Sequence, residues 1–140
     1  MVGGVTMRHR KFESSRGGDG RFKFGAVFAG VVVGYIVSLV VSAVFGAVLL
    51  RTTLAQQSVP SVMGWVSLAS LLVASIYAGV KAGSTGWLHG SLTGAIFVAV
   101  GVLLSLVIFP EAVPAMAVGK KIIIGILLGA VGGTVGVNLK

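Results

Sequence analysis

This chain has no cysteine, and its 140 residues include only three acids against eleven lysines and arginines. Without thiols, disulfides, cysteine nucleophiles and thiolate-held zinc or iron–sulfur centres are all excluded. Charge of either sign is scarce too: charged residues make up 10% of the chain and apolar ones 56%, with a mean hydropathy of +1.05. Such a balance lies far outside soluble globular domains and marks an integral membrane protein. A chain this short that must build several spans has no room for a separate soluble catalytic domain.

Four apolar runs are present. The first, from Phe24 to Leu50, carries no charge. At about 1.5 Å per residue it is ample for a hydrocarbon core about 30 Å thick. It also exceeds the 7–15 apolar residues of a signal-peptide core, and Arg51 precedes the cleavage-like Thr53-Leu54-Ala55, so it reads as an anchor. The polar stretch from Arg51 to Ser61 follows, in which Pro60 or Ser61 would open a second helix over about 62–80. A third span, about 87–109, stops at Pro110-Glu111-Ala112-Val113-Pro114. The fourth is read over about 120–139, and residues 115–119 extend it if Lys120 and Lys121 snorkel outward. Fold class is therefore an all-α, compact four-helix transmembrane bundle.

The centre of the chain is the stretch Gly79–Gly94. Lys81 falls in the last turn of the second helix, where a cation opposes the negative end of the helix dipole. Gly83 is placed as a left-handed C-terminal cap, and Ser84 or Thr85 as an N-cap offering a side-chain oxygen to the helix that follows. Trp87 marks the headgroup level on the next span, and Trp65 and Tyr77 mark the two ends of the second. Small residues recur every fourth position: Gly30 and Gly34 in the first span; Gly79 and Gly83; Gly86, Gly90 and Gly94; and Gly125, Gly129 and Gly133 in the last. That spacing lets helix backbones touch, which is how helices associate in lipid without a hydrophobic drive between them. The glycine row of the third span is expected to meet the second.

Residues 1–23 hold six cations with two acids, Glu13 and Asp19, among glycines and serines. A segment so poor in apolar groups is expected to be a disordered basic tail. It serves either as a topology signal or as an attraction for anionic lipid headgroups, at about 1 kcal/mol per basic residue near the surface. Eight cations flank the spans on the N-terminal side (six in the tail, Lys81 and Lys140) and three on the other (Arg51, Lys120 and Lys121). Both termini are thus expected in the cytoplasm. Topology accounts for the net charge of +8, and no nucleic acid is expected as a partner.

Asp, Glu, Lys and Arg are missing from the interiors of all four runs. Transporters and pumps usually mark their pathway with such a group. The lack weighs against a proton-coupled exporter of the small multidrug type, which needs a membrane-embedded carboxylate. His89, about one turn beyond Trp87 with Thr93 a turn further on, is the candidate polar site. It reads either as a proton-sensing or ligand-contacting imidazole or as a group hydrogen-bonded to a neighbouring carbonyl or headgroup. His9 lies in the tail, so no metal site is expected. The serines lack a base and an orienting partner, so neither catalysis nor a cofactor is expected.

The run Lys81-Ala82-Gly83, Gly86-Trp87, His89-Gly90 and Gly94 resembles the YrzE-like family of uncharacterised four-helix membrane proteins of Gram-positive bacteria. The ending Gly132-Gly133-Thr134-Val135-Gly136-Val137-Asn138-Leu139 is similar to that family's as well. The resemblance covers roughly residues 24–140. It implies four helices in a bacterial cytoplasmic membrane and transfers no activity or site. The leading expectation is a non-catalytic accessory or structural subunit, self-associating or bound to another membrane protein. The alternative is a small oligomeric channel, holin-like pore or transporter with His89, Thr93 and the third-span glycines near its path.

Overall fold

An apolar segment in lipid must satisfy its backbone polar groups internally, and the helix does this within one segment. The computed structural model describes residues 23–52, 56–109 and 114–140. Four helices contain nearly all of them: α1 (Phe24–Arg51), α2 (Val59–Ala82), α3 (Gly86–Ile108) and α4 (Ala115–Asn138), with a 3-10 turn at Gln56–Ser58 leading into α2. They run for 28, 24, 23 and 24 residues, and each is long and apolar enough to cross a membrane. No strand occurs among the described residues. The expected disorder of the tail falls on residues 1–22, which lie outside the described residues, as do His9 and Glu111.

Helix boundaries follow the punctuation in the sequence, with two shifts. Pro60 sits in the first two positions of α2, where its missing N–H costs no hydrogen bond, so α2 begins at Val59 instead of residue 62. Helix α4 begins at Ala115, five residues before Lys120, because Pro114 is its N-cap and the Pro114 carbonyl accepts from the N–H groups of Ala117 and Val118 at 2.8 and 3.3 Å. Lys120 and Lys121 are therefore exposed residues in the second turn of a helix, not its boundary.

Helices α1 and α3 run one way, and α2 and α4 the other. Helix α2 touches the other three, α3 also touches all of its neighbours, and α1 and α4 lie on opposite sides of the α2–α3 pair without meeting. The two ends of this bundle differ. Buried residues occupy the first turns of α1 (Ala26, Val27, Gly30, Val31, Gly34), the last turns of α2 from Ser70 to Ala82, the first turns of α3 from Gly86 to Phe97, and α4 from Gly125 to Gly136. The other ends of the helices, α1 from Tyr35 onward, α2 up to Ala69, α3 from Val98 onward and α4 up to Ile124, contain no buried residue. Side-chain size explains the asymmetry. The half near the α2–α3 turn is rich in glycine and alanine, and the other carries Leu, Val, Ile and Trp, which hold the helix axes apart.

The glycine rows show how close the approach is. A Cβ placed on Gly94 would collide with the Gly125 carbonyl oxygen, one on Gly90 with that of Gly129, and one on Gly86 with that of Gly133. The third-span row thus faces α4, not α2 as its position after the hairpin suggests; spacing defines a small face but not the helix that covers it. Helix α2 receives α4 through a different set, Gly79, Gly132 and Gly136. On the other side Gly30 and Gly34 admit α2, since a Cβ there would come within 2.7 Å of the Ala74 carbonyl oxygen and 2.6 Å of the Ala74 side chain, respectively. Gly83 has another use. It is exposed and left-handed with φ 70°, and its N–H closes the end of α2 on the Gly79 carbonyl at 3.1 Å.

Candidate functional site

His89 and Thr93, two of the buried polar side chains of the closed half, lie on α3 where it meets α1, whereas buried Ser75 lies on α2 against Gly132 of α4. His89 is one turn into α3 and 2% exposed. The backbone N–H of Lys23, the N-cap of α1, donates to its Nε2 at 3.1 Å. That nitrogen must therefore carry no hydrogen, and the ring proton belongs on Nδ1, 3.1 Å from the Thr85 carbonyl oxygen and 3.4 Å from the Thr85 hydroxyl. One orphan donor of a helix start is satisfied by a side chain from another helix. The Lys23 ammonium reaches in the same direction, donating to the Ala82 carbonyl at the end of α2 at 3.3 Å. Lys23, assigned by composition to the tail, thus clasps α1 to both arms of the central hairpin.

Thr85 occupies the N-cap of α3, but its side chain makes no capping hydrogen bond. Its backbone is left-handed, with φ 46° and ψ 47°, which turns the hydroxyl toward the imidazole instead of the first N–H groups of α3. The tight reversal through Gly83 imposes this conformation on a β-branched residue that seldom adopts it. Thr93 is fully buried a turn beyond His89, and its hydroxyl donates back to the His89 carbonyl at 2.7 Å. Both candidate polar residues are therefore packed against neighbouring backbone.

Sequence reasoning passed over Tyr35. Its hydroxyl donates to the Phe97 carbonyl at 2.8 Å, and the two rings lie 4.6 Å apart at a tilt of 31°. The signal was present: Lys23, Val27, Val31 and Tyr35 stand every fourth residue on one face of α1. The four residues expected at the membrane boundary all carry exposed side chains: Trp65 at the open end of α2, and Tyr77, Lys81 and Trp87 towards the hairpin.

Beyond Phe97 the helices diverge and leave a cavity of about 690 Å³ between α2, α3 and α4. Leu71 and Phe97 line its inner end, Leu68, Val98 and Val102 its sides, and Ser61 and Lys121 are among the residues nearer the helix ends. Among the described residues, no cluster of three His, Cys, Asp or Glu side chains accompanies the cavity.

The family model for proteins of unknown function DUF3792 matches residues 23–136. The chain belongs to that family. The matched DUF3792 region starts at Lys23, which meets His89, and ends at Gly136, the last buried residue of α4. It takes in all four helices except the last two residues of α4, and omits residues 1–22 and 137–140. The YrzE-like resemblance at Gly79–Gly94 falls within the DUF3792 region. No curated protein and no solved structure matches the chain.

Proposed function

We propose that this multi-pass membrane protein is a non-catalytic accessory or structural subunit of a membrane assembly. The observation that supports this reading most directly is the closed half of the bundle. There a Cβ on Gly86, Gly90 or Gly94 would strike a carbonyl of α4, so a single chain has no space between α3 and α4 for a permeating solute. His89 and Thr93, the polar groups that a path through that half would use, are turned toward neighbouring backbone. An oligomeric pore would have to run between chains and not through one.

The outer faces supply the complementary argument. Long apolar side chains such as Leu39, Val44, Leu103, Val107, Ile123 and Leu127 cover the exterior, which suits lipid and partner helices alike. The count of flanking cations supports both termini on the cytoplasmic side, and the YrzE-like resemblance supports a bacterial cytoplasmic membrane. The test is brief crosslinking in native membranes followed by gentle extraction and mass analysis of what travels with the protein. A second membrane protein in fixed stoichiometry is expected. Recovery of this chain alone as a defined homo-oligomer, with solute flux in liposomes, would replace the subunit reading by the pore.

A further inference from the structure

We propose that the cavity between α2, α3 and α4 is a binding site for one anionic phospholipid, with an acyl chain inside and the phosphate at Lys121. Its volume of about 690 Å³ falls in the range of roughly 300–1,000 Å³ typical of ligand sites. Several of its lining residues, among them Gly64, Trp65, Gly101 and Ile124, are exposed, so the cavity opens sideways along the spans. In a bilayer the medium on that side is hydrocarbon. An apolar space does not hold water, which needs several polar partners, and an acyl chain is the occupant that the surroundings supply.

Polarity is graded along the cavity. Leu71 and Phe97 close the inner end, and Lys121 lies in the second turn of α4 near the outer one. No acid is found among the lining residues or anywhere else among the described residues. An ammonium close to hydrocarbon calls for an anionic partner or water. Lys120 is exposed beside it, and the N-termini of α2 and α4 lie at the same end, adding the positive ends of two helix dipoles. A lipid phosphate meets that charge while its own chain fills the apolar part.

One glycine of the lining, Gly64, supports the assignment, because helix contact does not account for it. A Cβ at Gly64 would meet nothing within 4 Å, whereas one at Gly101 would meet the Tyr35 hydroxyl of α1 at 3.4 Å. Glycine in a helix interior costs about 1 kcal/mol relative to alanine. At Gly90 close packing offsets that cost, whereas at Gly64 the gain is width in the cavity.

The experiment uses Trp65, which lines the cavity, as reporter. Full-length protein carrying Trp87→Phe, which leaves Trp65 as its one tryptophan, is titrated in mild detergent with phosphatidylglycerol bearing brominated acyl chains, then with brominated phosphatidylcholine. Quenching is expected to saturate near one phosphatidylglycerol per chain and to need several-fold more phosphatidylcholine. Lys121→Gln should bring the two lipids together, and Gly64→Leu should remove the saturable step. Gly46→Leu, also surrounded by open space but outside the cavity, should change neither. Because Lys121 is exposed, its replacement tests the headgroup even where Gly64→Leu disturbs the fold. Equal response to both lipids, unsaturable quenching, or wild-type behaviour of Gly64→Leu in a folded protein would overturn the proposal. So would a second copy or another protein found crosslinked across Trp65 in place of lipid.

Discussion

The backbone N–H of Lys23 and Nε2 of His89 lie 3.1 Å apart, although 66 residues separate them in sequence. This hydrogen bond fixes where the first helix starts relative to the third. It gives the buried imidazole a structural task as an acceptor from one helix and a donor toward the carbonyl that opens its own. The Lys23 ammonium extends the clasp to the end of α2, so three helices meet at one residue pair.

That geometry predicts how His89 responds to substitution. Phenylalanine would retain the bulk but leave the Lys23 N–H without this acceptor, at a cost of about 1 kcal/mol. Glutamine can place its amide oxygen near the position of Nε2 and should lose less. Thermal unfolding in detergent is therefore expected to rank wild type above His89→Gln and His89→Gln above His89→Phe. A phenylalanine variant as stable as wild type would show that the Lys23 contact carries no weight.

The Tyr35–Phe97 pair makes a separate prediction about the middle of the bundle. Tyr35→Phe removes the hydrogen bond to the Phe97 carbonyl and keeps the ring contact, whereas Tyr35→Leu removes both. Interhelical hydrogen bonds in membrane proteins average about 0.6 kcal/mol, and an aromatic pair adds about 0.5–1.5 kcal/mol. Tyr35→Phe should thus lower the unfolding temperature slightly and Tyr35→Leu clearly more. Identical losses in the two variants would assign the whole effect to the hydroxyl.

How much of this arrangement could be read from residues alone depends on the interaction. The spans were legible because each is an apolar run bounded by polar or helix-stopping residues such as Arg51, Lys81 and Pro114. The start of α4 was legible only as two alternatives, because Lys120 and Lys121 look like a boundary, yet their long stems let them sit in a helix begun at Ala115, which is the extended alternative. Small faces were legible too, but not their partners: Gly86, Gly90 and Gly94 follow the hairpin immediately and still pack on α4. The Lys23–His89 contact was hidden for a different reason. It uses a backbone N–H, which every residue but proline possesses, so residue type gives no signal of it.

Thr85 offers a prediction of the opposite sign. Its φ of 46° places a β-branched residue in the left-handed region, and its hydroxyl makes only a long contact of 3.4 Å with the imidazole. Thr85→Gly removes strain of about 1 kcal/mol and keeps the carbonyl that meets Nδ1. The variant should unfold at a higher temperature than wild type. Gly83→Ala, by contrast, introduces a side chain at φ 70° and should unfold at a lower one. A drop for Thr85→Gly would mean that the hydroxyl contact outweighs the strain.

The glycines provide the sharpest contrast, because alanine adds the same atom at every position and only the surroundings differ. At Gly90 and Gly94 the new methyl meets backbone carbonyls of α4, which cannot rotate away as a flexible side chain can, so the helices must separate. Overpacking of this kind typically costs about 1–3 kcal/mol. At Gly46 and Gly64 the methyl enters open space, and the better helix propensity of alanine is worth up to about 1 kcal/mol. Unfolding temperatures should therefore fall for Gly90→Ala and Gly94→Ala and hold or rise for Gly46→Ala and Gly64→Ala. Crosslinking between cysteines introduced at exposed positions of α3 and α4 adds a distance readout, which should weaken in the first pair alone. Parallel behaviour of all four variants would contradict a bundle closed by backbone contact at one end and open at the other.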